Sequence, residues 1–246
     1  MHYDKIITDT GLNYDVLPSL VGFWSGQNIS GSTLYDRSYY KNNGIIYGSV
    51  PPTPQSVNGL GINLSVATRI DFGNSDNYSF TDGTKDIPFT ITFFLDKTGM
   101  YSGGSYATFL SKWNKSSSKC EWRCGVSGQV LAFSIGNAGS TNYEAYAIPI
   151  PSTKYTKVTW TYNGLGVSKI YYNGVSVEST GTHYNNGYDG VTAGRRMVRD
   201  SSLNACIGNY SDSSLIDYSP NCVINDIRLY KGVVLSQREI KKIQTQ

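Results

Sequence analysis

Histidine and glutamate are nearly missing from this chain. Its 246 residues include two histidines, His2 and His183, and four glutamates, Glu121, Glu144, Glu178 and Glu239. Retaining glycoside hydrolysis needs two carboxyl groups about 5 Å apart, which residues i and i+2 of a strand supply because they share a face. None of the four glutamates has an acidic residue two positions away. Neither a Ser-His-Asp set, a P-loop nor a dinucleotide fingerprint is present.

Charge is also scarce. Charged residues make up 16% of the chain and the net charge is +3, far from the clustered Lys/Arg face of a nucleic-acid binder. Arg195, Arg196 and Arg199 form one local basic group, read here as a solvated loop. No apolar run approaches the roughly 18 residues of a membrane-spanning helix, so no membrane insertion is expected. The first twenty residues lack the apolar core of a secretory signal. The expectation is a protein that stays in the cell, leaves by another route or is packaged into a particle, although a chain trimmed of its signal would look the same.

Four cysteines, Cys120, Cys124, Cys206 and Cys222, make a weak zinc pattern, since structural sites come as tight knuckles. Cys120 and Cys124 fall on one strand candidate, facing one way and about 13 Å apart at the rise of a strand, too far for a disulfide. Cys206 and Cys222 lie in successive strand candidates, where a cross-strand bond fits. The other reading is four reduced thiols used as small hydrophobes.

Tyrosine, glycine, asparagine and serine are plentiful, and 39% of the residues are hydrophobic. Period-2 patterns dominate. In PFTITFFLD (88–96), Phe89, Ile91, Phe93 and Leu95 alternate with Thr90, Thr92 and Phe94. In KVTWTYNG (157–164), Val158, Trp160 and Tyr162 do the same. Such alternation marks half-buried strands. Asn173-Gly174 between two β-rich runs marks a type I′ hairpin. Further strand candidates are 21–24, 44–48, 60–64, 68–72, 108–113, 121–126, 130–136, 204–209 and 223–230. PPTPQ (51–55) reads as a rigid loop. The one helix is SQREIKKI (236–243), where Ser236 and Glu239 form a capping box and Lys241 and Lys242 sit at the end the dipole favours for cations. The pattern predicts an all-β, two-sheet antiparallel jelly-roll sandwich with one short C-terminal helix over residues 20–246. An N-terminal arm, residues 1–19, precedes it. Ile6, Ile7, Leu12, Tyr14, Val16 and Leu17 of that arm need burial, against this domain or against a partner.

The ordered segments LVGFW (20–24), YDRSYYKNNGIIYG (35–48), GLGINLS (59–65), PFTITFFL (88–95), FLSKWN (109–114), YTKVTWTYNG (155–164) and NDIRLYKGVVLSQREI (225–240) resemble the laminin-G-like jelly rolls of the concanavalin A-like lectin/glucanase superfamily. No one motif decides it; their order does. The fold hosts lectins, adhesion modules and glycosidases. The E-x-D-x-x-E signature of its glycan-cleaving members is absent. His183 with Tyr184 is all that would serve a lyase, and it reads as an exposed loop.

The resemblance implies a structural calcium site from Asp36, Asn42, Asn43 and Asp226. Two departures oppose it: Asn225-Asp226 stands where the family has two aspartates, and Lys41 adds a positive charge beside the site. The alternative is a loop held by Asx-type bonds to its own backbone. Glycan-binding candidates, aromatic rings that stack on sugars, are Trp113, Trp122, Tyr143, Tyr146, Tyr184 and Tyr188. The reading is therefore a non-catalytic binding or adhesion module for a glycan or cell-surface polysaccharide. Its composition also suits the surface of a virus particle, such as a phage capsid-decoration or tail protein, attached to other virion proteins through residues 1–19. The rival is a polysaccharide-degrading enzyme.

Overall fold

The alternating segments pair into strands that turn one face into the core between the sheets; the half-buried expectation fails for β8 (Phe89–Asp96) and β13 (Tyr155–Tyr162), whose outward Thr90, Thr92, Thr159 and Thr161 are buried too. The computed structural model describes residues 18–48, 52–55, 59–64, 69–100, 106–114, 119–136, 143–177, 181–185, 187–192, 195–197, 199, 203–208 and 220–243. The strands are β1 (Leu20–Trp24), β2 (Ile29–Ser30), β3 (Thr33–Leu34), β4 (Gly44–Tyr47), β5 (Pro52–Gln55), β6 (Gly59–Leu64), β7 (Arg69–Asp71), β8 (Phe89–Asp96) and β9 (Tyr106–Asn114). They continue as β10 (Lys119–Ser127), β11 (Val130–Gly136), β12 (Tyr143–Pro149), β13 (Tyr155–Tyr162), β14 (Ser168–Tyr172), β15 (Val175–Ser176), β16 (Thr182–Asn185), β17 (Cys206–Gly208) and β18 (Cys222–Lys231), followed by helix α1 (Gln237–Ile243). One antiparallel sheet runs β15-β14-β13-β8-β18-β6-β5, with β1 also paired to β18. The other runs β16-β12-β11-β10-β9-β17-β7-β4-β3-β2. This is the two-sheet antiparallel sandwich with a short C-terminal helix that the sequence predicts.

The inner faces meet in one core. Phe89, Ile91, Phe93 and Leu95 of β8 and Val158, Trp160 and Tyr162 of β13 come from the eight-stranded sheet. Trp122, Cys124 and Val126 of β10 and Leu131, Phe133 and Ile135 of β11 come from the ten-stranded one. Edge-to-face contact of Phe89 with Trp160 (4.8 Å) and stacking of Phe80 on Phe89 (4.4 Å) add to area burial.

The outer face of the eight-stranded sheet is roofed. Leu235, Ile240 and Ile243 pack on Leu20, Phe23, Tyr171 and Tyr230. The capping box forms: the Ser236 amide donates to Glu239 Oε2 (2.7 Å) and the Glu239 amide to Ser236 Oγ (3.4 Å). Beside the helix, Arg37 and Arg228 both lie over the Phe23 ring, at 4.8 and 4.5 Å.

Several local expectations change. PPTPQ is not a loop: Pro52–Gln55 pairs with β6 at the sheet margin. Proline fits there because an edge strand needs ladder bonds on one side only. His183 is in strand β16, paired opposite Tyr146, rather than in a loop. Cys206 and Cys222 lie in different sheets, and with Cys124 they are buried free thiols. The reduced reading thus holds for these three, while the Cys120 side chain lies outside the description. A register shift between Cys120 and Trp122 breaks the alternation that would align Cys120 with Cys124. Of the arm 1–19, only residues 18 and 19 are described. Ser19 O accepts from the Lys231 amide (2.8 Å), and Pro18 O accepts from the Tyr40 hydroxyl (2.9 Å).

Asp86 ties Tyr188 and Met197 to the sandwich. Its Oδ2 accepts from the hydroxyls of Tyr162 (2.8 Å) and Tyr188, and its Oδ1 accepts from the Met197 amide (2.8 Å). Burial pushes the carboxyl up to about 6 despite those donors. The folded state therefore takes up a proton between the usual carboxylate range and about 6, where the unfolded chain is still ionised. This group's contribution to stability is greatest at the acid end of that window and falls as pH rises through about 6. Asp86→Asn should flatten the part of the melting-temperature profile between pH 4 and 7 that rises toward acid. Parallel profiles for the two proteins would show that Asp86 does not set it.

Candidate functional site

The ten-stranded sheet carries no such roof among the described residues, and its outer face collects rings, guanidinium groups and amides. Ile70, Ile207, Leu110, Cys124 and Phe133 fill the core, so Asp71, Cys206, Ser111, Arg123 and Ser134 beside them face outward. The register sets Ile45, Asp71, Cys206, Ser111, Arg123 and Ser134 side by side across β4, β7, β17, β9, β10 and β11.

Two clusters stand on that row. In the first, the Arg123 guanidinium lies 4.0 Å from the Tyr106 ring centroid and 4.3 Å from that of Trp113, held by cation–π attraction. Tyr106 lies across the sheet and donates from its hydroxyl to Ala132 O (3.0 Å). Gly125 makes room for it, since a Cβ there would stand 2.8 Å from the Tyr106 ring and 2.1 Å from Ala107 O. In the second, Arg69 lies 4.7 Å over the exposed Tyr47 ring and 3.7 Å from the Asp71 carboxylate. Asp71 also accepts from the Asn204 amide (3.0 Å) and the Gly73 amide (2.8 Å). Three strand spacings, about 14 Å, separate the Asp71 and Arg123 positions. Burial raises the Cys206 thiol between them. The Thr108 and Ser111 hydroxyls beneath the first cluster are buried and lack a hydrogen-bond partner.

The predicted ring residues divide. Trp113 is on this face. Trp122 and Tyr188 are not: both are buried, with Trp122 Nε1 donating to Tyr78 O (2.9 Å) and Tyr188 bound to Asp86. Their rings have no free face for a sugar. Tyr146 is also buried; its hydroxyl donates to Ser168 O (3.2 Å), and its ring stacks on His183 at 4.2 Å. The side chains of Tyr143 and Tyr184 lie outside the described residues. Tyr47, Arg69, Asp71, Tyr106 and Arg123 were missed, although the alternation in GIIYG and TRIDF already sets Tyr47 apart from Ile46, and Arg69 and Asp71 apart from Ile70.

The carboxylates are committed elsewhere. Glu121 is fully buried 3.1 Å from Lys112, and Ser79 Oγ donates to it. Glu239 caps the helix. The Glu144 side chain and Glu178 lie outside the description. Of the basic group, Arg196 donates to Val191 O and Gly83 O, and the exposed Arg199 pairs with Asp76.

The Tyr35–Gly44 loop hangs on one carboxylate. Asp36 Oδ1 accepts from the amides of Phe23 and Ser38 (2.8 Å each), and Oδ2 accepts from the Ser38 hydroxyl (2.7 Å) and the Asn42 amide (2.9 Å). Asn43 Oδ1 accepts from the Asp36 amide (2.9 Å), and Asn42 O accepts from the Trp24 indole (3.3 Å). Asp226 meets Lys157 and Arg228. Calcium requires six to eight oxygens turned toward it. Here the Asp36 oxygens face N–H and O–H donors, and those of Asp226 face two cations. The four residues do not fit the ion. They fit the alternative, a loop tied by side-chain bonds to its own backbone. It presents Tyr39, 79% exposed, beside Tyr35 and Tyr40.

Neither a protein-family model nor a curated protein matches the sequence. Solved structures do share the fold. The binding domain of botulinum neurotoxin DC, solved with rat synaptotagmin II, superposes with a TM-score of 0.65 at 16% identity, over 92% of this chain and 51% of that one. The binding domain of Paraclostridial Mosquitocidal Protein 1 gives 0.65 at 12% identity, with the same coverage. A botulinum neurotoxin type C structure, from work tying its cell entry to two ganglioside molecules, gives 0.62 at 16%, over 92% and 51%. The chain thus spans about half the length of those domains. At such identities the likeness shows the fold: a β-sandwich of the kind found in toxin binding domains.

If Asp36 is a loop staple, EDTA and millimolar calcium chloride should leave the melting temperature unchanged. Asp36→Ala should cost about 3 kcal/mol in denaturant unfolding, because buried donors lose an ionised acceptor. A rise in melting temperature with calcium would contradict this.

Proposed function

We propose that this chain is a non-catalytic binding module that takes carbohydrate on the outer face of its ten-stranded sheet. The observation that carries the reading is the juxtaposition of Tyr47, Tyr106 and Trp113 with the Asp71–Asn204 pair. Rings offer flat apolar faces for the C–H side of a sugar, while a carboxylate and an amide accept and donate to its hydroxyls. Pockets of that kind, apolar with a few placed polar groups, are the usual design of small-ligand sites. Two of the solved structures of like fold are named as binding domains, and a third is tied to gangliosides. The full burial of Glu121 in an ion pair supports a module that holds glycan rather than cleaving it.

The finer form of the proposal is display on a particle or cell surface, with residues 1–19 as the attachment segment. Its support is compositional: Ile6, Ile7, Leu12, Tyr14, Val16 and Leu17 precede a sandwich poor in charge.

The test is a glycan array run with the wild-type protein, Trp113→Ala and Tyr47→Ala. The wild type should bind a defined group of glycans, and each variant should lose at least tenfold in affinity while keeping its melting temperature within a few degrees. Release of reducing ends from a bound polysaccharide, or array binding untouched by both substitutions, would refute the reading.

A further inference from the structure

Beneath the Tyr106–Arg123–Trp113 stack lie two hydroxyls that the fold does not use. Thr108 and Ser111 of β9 are each 1% exposed, and neither Thr108 Oγ1 nor Ser111 Oγ has a hydrogen-bond partner. Folded proteins rarely leave such groups unsatisfied, and an unmade bond in a buried place is costly. Both residues face outward. Thr108 pairs with Gly125 and Ser111 with Arg123, whereas Phe109 and Leu110, both in the core, sit at the bulge between them. The hydroxyls therefore point to the underside of the slot that the Arg123 guanidinium fills between two rings.

A planar group held 4.0 and 4.3 Å from two ring centroids occupies the kind of space that a saturated six-membered ring needs between aromatic walls. The Tyr106 wall is set against the sheet by its own hydroxyl bond and by the space that Gly125 leaves for its ring. The guanidinium belongs to a long, flexible side chain that can leave the slot by rotation without moving the backbone.

We infer that the slot is a sugar subsite kept filled by Arg123 in the free protein, and that Thr108 and Ser111 are its hydrogen-bonding floor. The inference rests on the carbohydrate reading above and narrows it to neutral, hydroxyl-rich pyranosides, because the floor offers hydroxyls and no charge. When a pyranose enters, Arg123 swings outward, Tyr106 and Trp113 stack on the ring, and ring hydroxyls pair with Thr108 Oγ1 and Ser111 Oγ. Filling by Arg123 lowers the apparent affinity by the fraction of molecules whose slot is open.

The experiment titrates lactose, maltose and cellobiose separately into the wild-type protein, the double variant Thr108→Val/Ser111→Ala, and Arg123→Ala, and follows heat release and melting temperature. The wild type should bind at least one disaccharide. The double variant should lose that binding at least tenfold while its melting temperature stays level or rises, since near-isosteric replacement removes two unsatisfied groups. Arg123→Ala should bind at least threefold more tightly than wild type. Unchanged binding in the double variant, or a fall in its melting temperature, overturns the floor; weaker binding by Arg123→Ala overturns the filled slot. If Trp113→Ala abolishes array binding while the double variant binds as wild type does, the inference fails and the carbohydrate reading stands. If the wild type binds none of the three disaccharides, the inference fails; if it also binds nothing on the array, the broader reading fails with it.

Discussion

A strand in a two-layer sandwich can turn only one of its faces to the core between the sheets, and every second residue must therefore look away from it. That constraint organises this molecule. It sends Phe89, Ile91 and Phe93 inward from β8 and Trp122, Cys124 and Val126 inward from β10. It equally sends Thr90, Thr92, Arg123, Arg69 and Asp71 outward, and each sheet handles its outer face differently. The eight-stranded sheet covers its own with helix α1 and with threonines that bond within the structure: Thr159 Oγ1 donates to Thr92 Oγ1 (3.2 Å), and Thr90 Oγ1 accepts from the Leu235 amide (3.0 Å). The ten-stranded sheet places rings and guanidinium groups on its own outer face.

Cations on both faces are neutralised locally rather than left to bulk solvent. Lys157, buried, lies 4.4 Å over Phe94 and pairs with Asp226, which also meets Arg228 at 2.7 Å. Asp226 takes positive φ (47°) at an irregularity in β18, which turns its carboxylate toward both cations. In a family resemblance this aspartate reads as a metal ligand; in this chain it answers two positive side chains. Removing one partner of such a buried set is costly, because the remaining charge has lost its compensation.

Much of the fold was legible in the sequence. Strands such as 88–96 and 157–162 combine strict alternation with β-branched and aromatic residues, so local propensity and tertiary burial agree. The Asn173-Gly174 hairpin was legible too, and both residues take positive φ. Strands β2, β3, β12 and β16 were not: β2, β3 and β16, two to four residues with weak pattern, become strand only when a neighbour supplies the ladder, and β12, seven residues long, was missed as well. Pro52–Gln55 was misread because proline argues against strand everywhere except at an edge, and edge position is set by topology. The site was less legible than the fold. Trp122 could have been assigned to the core from the W-x-C-x-V spacing, but its ring was weighed by type instead of by period. Tyr188 had no period to consult, since a loop carries it to Asp86. The bulges at 108–110 and at Cys120–Trp122 leave no mark in the residue pattern, yet they decide which side chains of β9 and β10 meet on the outer face.

The central claim, that ligand binds across the outer face of the ten-stranded sheet, is tested most directly by amide chemical-shift mapping during titration with the strongest glycan from an array. The account predicts shifts clustered at β7, β9, β10 and β17, with the Trp113 indole among the largest. Shifts confined to the exposed tyrosines of the Tyr35–Gly44 loop, or to the helix side of the sandwich, would contradict it.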